Sequence, residues 1–145
     1  MRKVPQQARS REMVERIVAA ARIVLVRDGY ESFTTGRVAN EAGASPGSLY
    51  QYFPDKDALV TEVLERWSSE VSDRVADSLA GAAPMDINAP ESVRTIADAL
   101  LAAIERDEGL LRIVWEELPA VRHRAAQHAL ERRVRELLSV FLTAA

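Results

Sequence analysis

The sequence predicts an all-α fold, and three observations carry that prediction. Apolar residues return every three or four positions over long stretches. No segment alternates with the period of a strand, and glycine, proline and capping residues mark the ends of the periodic stretches. The 145 residues fit one compact unit or two small helical modules sharing a core, and a hydrophobic content of 48% is ample for packing it. No internal repeat is present.

Taken in order, residues 1–8 lack periodicity and carry Pro5, which predicts a flexible arm. From Ser10, a plausible cap, a long helix places Met13, Ile17, Ala20, Ala21, Val24 and Leu25 on one stripe and ends at Asp28-Gly29. Two short helices follow at about 35–42 and 46–52. Pro54-Asp55 breaks the chain, and Asp55 starts a fourth helix with Val60, Val63, Leu64, Trp67, Val71, Val75 and Leu79 at helical spacing, ending near Gly81. The non-periodic stretch from Gly81 to Pro90, which holds Met85, reads as a loop. A fifth helix at about 91–107 turns Val93, Ile96, Ala97, Leu100, Leu101 and Ile104 to the core, and Gly109 stops or bends it. A short sixth holds Leu110, Leu111, Ile113, Val114 and Trp115 up to Pro119, and a seventh carries Val121, Ala125, Val134, Leu137, Leu138 and Phe141.

The two short helices say most about function. Thr35 can cap the first, and Val38, Ala39 and Ala42 give it a small apolar face. Gly43 stands where the chain leaves that helix, a position that favours positive φ. Ser45 caps the second helix, with Pro46 in its first turn where a missing N–H costs nothing. Leu49 and Phe53, four apart, pack inward and leave Ser48, Gln51 and Tyr52 facing out. A tight helical hairpin whose second helix presents hydrogen-bonding side chains is a helix-turn-helix suited to reading DNA.

The formal charge of −3 at pH 7 is unevenly spread. Nine Lys and Arg stand against six Asp and Glu over residues 1–56, including Arg2, Lys3, Arg9, Arg11 and Arg37, and ten against sixteen beyond. The basic share sits around the hairpin, which favours phosphate there and keeps the acidic remainder off it. The absence of cysteine removes disulfides, zinc–thiolate sites and a cysteine nucleophile. The N-terminal residues carry no apolar signal core and no run reaches membrane length, so a cytoplasmic protein is expected, with no membrane partner. His123 and His128, five apart, do not share a helix face and make a poor metal pair.

The run Arg16-Ile17-Val18-Ala19-Ala20-Ala21 with Asp28-Gly29-Tyr30, Thr34-Thr35, Ala42-Gly43, Gly47-Ser48-Leu49-Tyr50, Tyr52-Phe53 and Lys56-Asp57-Ala58-Leu59 resembles the N-terminal domain of TetR-type transcriptional regulators. The likeness covers residues 10 to 65 and is only architectural beyond Leu64. It implies an N-terminal helix-turn-helix DNA-binding domain over residues 1–55 and a helical ligand-binding and dimerisation bundle over 56–145. Such proteins usually carry two further helices that form most of the dimer interface, and this sequence stops before them. The resemblance makes Thr35, Ser48, Tyr50, Tyr52 and Lys56 the phosphate-side set. Arg37, Ser45, Pro46 and Gln51 then face or flank base edges, with Gln51 able to pair bidentately with adenine. Gly47 has no side chain to obstruct the backbone's approach to DNA. Many family members have Lys where this chain has Pro46, so its sequence preference should differ. A palindromic duplex site, a homodimer and a small-molecule effector are implied partners, and no cofactor is. Trp67, Met85, Leu100, Ile104, Leu111 and Trp115 are the candidate effector-pocket residues.

Two other function classes compete. An enzyme would need a nucleophile–base pair, paired carboxylates, a metal set or a phosphate loop, and no such motif is present. A helical adaptor or dimerisation module could keep the hairpin without binding DNA. It would tolerate loss of the Gln51 and Tyr52 side chains, and a DNA reader would not.

Overall fold

The computed structural model describes residues 6–81 and 89–118, together with the helical positions His128, Arg132, Arg135, Glu136 and Ser139. Within them every regular element is helical: α1 (Gln6–Ser32), α2 (Thr35–Ala42), α3 (Pro46–Tyr50), α4 (Lys56–Leu79), α5 (Pro90–Glu105) and α6 (Glu108–Arg112), which runs into one π-helical turn (Ile113–Glu117). The expected loop holding Met85 and nearly all of the expected seventh helix lie outside the described residues.

α1 begins at Gln6, so the expected arm is shorter than residues 1–8 and Ser10 is not its cap. Gln, Ala and Arg all favour helix and carry it back past Ser10. Ser10 sits in the second turn, with its hydroxyl 2.9 Å from that of Tyr52. Near its far end α1 breaks at Gly29, at φ 77° and ψ 167°, a region open almost only to glycine.

The core forms where α1 crosses α4. Ile17, Ala21, Val24 and Leu25 of α1 are wholly buried with Phe33, Val38 and Leu49 of the hairpin and Leu59 and Val60 of α4. Ala103, Leu110 and Ile113 extend it toward the C-terminal elements. α5 meets this body by one face only: Ser92 and Ala103 are buried, and Ile96 and Ala99 partly so. Val93, Ala97 and Leu101, expected to face the core, are exposed instead. They lie one residue, roughly 100°, around the helix from the packed stripe, and apolar spacing alone could not choose between the two stripes.

The π-turn has a visible consequence. Leu118 N–H reaches back to the Ile113 carbonyl at 3.0 Å, five residues rather than four. Ile113 is wholly buried at its start. Glu117, at its end, stands beside α1, where Oε2 accepts from Tyr30 N–H at 2.8 Å.

Candidate nucleic-acid interface

The hairpin is closed at each end by local chemistry. The cap of α2 is Thr34, not Thr35: its backbone is extended and its hydroxyl oxygen accepts from Arg37 N–H at 3.2 Å. Thr35 is already helical, and its hydroxyl lies 2.9 Å from that of Tyr50 on α3. Gly43 ends α2 at φ 61°, while Ala44 N–H bonds the Ala39 carbonyl at 2.9 Å and Gly43 N–H bonds that of Asn40 at 3.1 Å. That six-to-one and five-to-two pair satisfies the last carbonyls and sets the sharp exit into α3. Ser45 caps α3 as expected, accepting from Ser48 N–H at 3.1 Å with the two hydroxyls 2.9 Å apart. α3 ends at Tyr50, two residues short of the expected 46–52.

Leu49 and Phe53 face the core as their spacing requires. Pro46, Gly47, Tyr50 and Gln51 are exposed, and Ser45 and Ser48 border them. Tyr50 is 53% exposed. Tyr52 was expected to face outward, but it is half-buried and its hydroxyl pairs with Ser10 of α1. Arg37 extends from α2 and reaches Asp28 Oδ2 at 3.0 Å. The hydrogen bond from Arg27 and that from Arg37 hold the Asp28 carboxyl below the usual carboxylate range, against its partial desolvation. Lys56, the first residue of α4, turns back onto α1: Nζ donates to the Tyr30 carbonyl and sits 3.9 Å over the Tyr30 ring. The hairpin thus brings Thr35 and Tyr50 together and leaves Ser45, Pro46, Gly47 and Gln51 exposed along α3, with Ser48 partly so. Tyr52 and Lys56 are tied to the body beside it. Asp28, Tyr30 and Thr34 stand in the stretches that carry the TetR resemblance, but the sequence assigned none of them a role at the site.

The expected effector residues are not gathered in the same way. Trp67 is 2% exposed and its Nε1–H donates to Asp107 Oδ2 at 3.1 Å. Leu100, Ile104 and Leu111 are half-buried against the core, and Trp115 is 79% exposed. Met85 lies outside the described residues. A cleft of about 680 Å³ between α1 and the start of α6 is lined by Arg22, Ile23, Val26, Arg106 and Leu110 among others. A smaller one of about 350 Å³ lies between α4 and α5, beside Arg74, Asp77, Ala103 and Arg106. Among the described residues, Trp67, Leu100, Ile104, Leu111 and Trp115 line neither. Among the described residues no cluster of His, Asp and Glu could hold a metal ion, and no helix is long and apolar enough to cross a membrane.

Comparison with known proteins bears on the same region. Residues 17–63 match the profile of the bacterial regulatory proteins of the tetR family. The nucleoid occlusion factor SlmA of Mannheimia succiniciproducens is 30% identical over 86 residues, covering 59% of this chain and 38% of that protein. The HTH-type transcriptional repressor KstR of Mycobacterium tuberculosis is 36% identical over 75 residues, 51% of this chain and 34% of its own length. The chain thus spans well under half the length of these curated relatives. A Streptomyces coelicolor protein solved as a candidate transcriptional regulator has the same fold, with a TM-score of 0.73 at 26% identity over 90% of this chain and 75% of that one.

Proposed function

We propose that this chain, which belongs to the TetR family of bacterial regulatory proteins by its N-terminal domain and its fold, binds duplex DNA sequence-specifically and represses transcription until a small-molecule effector releases it. The observation that carries the reading is the exposed polar end of the hairpin. Gly47, Tyr50 and Gln51 stand clear of the core at the start and end of α3, and the Thr35–Tyr50 hydroxyl pair bridges the two helices. In this reading Thr35, Ser48, Tyr50, Tyr52 and Lys56 meet phosphates and fix register. Arg37, Ser45, Pro46 and Gln51 face base edges, where Gln51 selects adenine. A tyrosine hydroxyl that accepts from Thr35 or Ser10 keeps its one proton to donate to a phosphate, so those pairs do not exclude the role.

Residues 1–55 read DNA and residues 56–145 sense and dimerise, so that a homodimer meets a palindrome. The protein acts in the cytoplasm and carries out no catalysis. Repression is favoured over activation because a dimer on a promoter obstructs polymerase without further contacts, and the relative KstR is itself named a repressor. Effector sensing has separate support in Ser68 of α4, whose hydroxyl is buried with no hydrogen-bond partner. Such a group costs about 1–3 kcal/mol, which a ligand reaching it would recover.

Selection of bound sites from random duplexes at near-physiological salt tests the proposal. An enriched palindrome supports sequence-specific reading by a dimer. An enriched single half-site keeps the DNA reading and removes the dimer. A folded protein that enriches nothing overturns the proposal in favour of the adaptor.

A further inference from the structure

Tyr30 stands where three elements meet, and each takes a different part of it. Its N–H donates to Glu117 Oε2 of the π-turn at 2.8 Å. Its carbonyl accepts from Lys56 Nζ, which also lies over its ring, and its hydroxyl donates to Asp57 Oδ1 at 3.1 Å. The break at Gly29 leaves the Tyr30 N–H to an acceptor from outside α1, and the Glu117 carboxylate supplies it. The φ of 77° favours glycine there, and a Cβ would stand 2.9 Å from that same Oε2, so a larger residue would also push the Glu117 carboxylate aside. Arg112 Nη1 holds the other carboxylate oxygen at 3.0 Å, so the group is steered from its own helix.

We propose that Glu117 is a positioning residue for the helix-turn-helix, setting from the C-terminal side the angle at which α1 hands the chain to α2. Only residues 33 and 34 separate Ser32, the last residue of α1, from α2. The direction of the α1 end therefore becomes the direction of the hairpin, and Tyr30, held by Glu117, also anchors Lys56. Glu117 needs no contact with DNA for this. It narrows the range of hairpin orientations before binding, and a reader that is less pre-organised binds more weakly at every site. The inference rests on the DNA-binding reading above.

The test uses the full chain and the duplex that the wild type selects. Glu117→Ala should weaken binding about tenfold with the selected sequence unchanged, while Glu117→Gln, whose amide oxygen still accepts from Tyr30, should stay within about twofold. Hydrogen exchange at the Tyr30 amide should quicken in the alanine variant and not in the glutamine one. Should the alanine variant fail to fold, Arg112→Ala takes its place, with a smaller loss of affinity of about threefold because the carboxylate loses one of its two anchors. Val75→Ala, in the buried part of α4 well along from this junction, lowers stability without touching it and should leave affinity unchanged. Equal affinity of wild type and both junction variants overturns the inference alone. So does an equal loss in Val75→Ala, which would mark a general effect of stability. A wild type that selects no duplex removes the DNA-binding reading and this inference together.

Discussion

At the scale of single residues, the hairpin separates side chains that close helices from side chains that remain free. Thr34 satisfies a backbone N–H that would otherwise face the start of α2 unpaired, and its neighbour Thr35 does not. Thr34→Ala should therefore cost about 1 kcal/mol of stability, and Thr35→Ala under about 0.5 kcal/mol, read from urea midpoints. The reverse order would restore Thr35 as the cap. The residues proposed to meet DNA divide on a different measurement. Gln51→Ala should change base preference at one position by about 1–3 kcal/mol, while Lys56→Ala should weaken all sites alike and flatten the salt slope by about one unit. Equal effects of both variants on every sequence would remove the division of roles. Ser45 and Gly43 were legible in the sequence because a serine before proline and a glycine after an apolar helix each have one dominant local use. The choice between Thr34 and Thr35 was not, since adjacent hydroxyls offer the same chemistry. Nor was the inward turn of Tyr52, which depends on α1 reaching back past Ser10, a partner 42 residues away.

At the scale of elements, α4 followed its local signals in both start and face, and α5 did not. α4 starts at its Asp55 cap, with Asp55 Oδ1 accepting from Ala58 N–H at 2.8 Å, and it buries the stripe its spacing foretold. α5 carries more apolar surface than one neighbour can cover, so its buried face is decided by α4 and not by its own sequence. Gly109 makes the same point. Read alone it is a helix breaker, yet it lies inside α6, where a Cβ would come within 2.5 Å of Val26 Cγ1. The glycine allows α6 to lie close against α1. Gly109→Ala gains about 1 kcal/mol in helix propensity but meets an overpacking cost of about 1–3 kcal/mol, so a net loss is expected. Trimming Val26 to Ala in the same chain should recover part of it. Denaturation of the two single variants and the double variant gives the coupling between them. Strict additivity would mean that the two elements do not press on each other here.

At the scale of the whole molecule, one carboxylate ties the two halves together. Asp107, just ahead of α6, accepts from Arg22 of α1 at 2.7 Å through Oδ1, and from Arg74 at 2.6 Å and Trp67 at 3.1 Å, both of α4, through Oδ2. Glu70 of α4 completes the set by pairing with Arg22 at 2.8 Å. Burial pushes the Asp107 carboxyl up, but Arg74, Arg22 and the Trp67 indole outweigh it and hold it below the ordinary carboxylate value. A group lowered on folding contributes stability that is fully present above its unfolded value, about 3.9, and is lost as pH falls through the folded value. Asp107→Asn removes the charge at every pH, so the wild type should exceed it in stability by a constant margin at neutral pH. That margin should shrink below about pH 4 and close once Asp107 is protonated in the folded state as well. Paired urea titrations from pH 7 downward measure it. A margin that stays level down to acid unfolding would place the contribution of Asp107 in packing. A shrinking margin would place it in the charge that α1, α4 and α6 share, and so in the joint between the helical hairpin and the elements behind it.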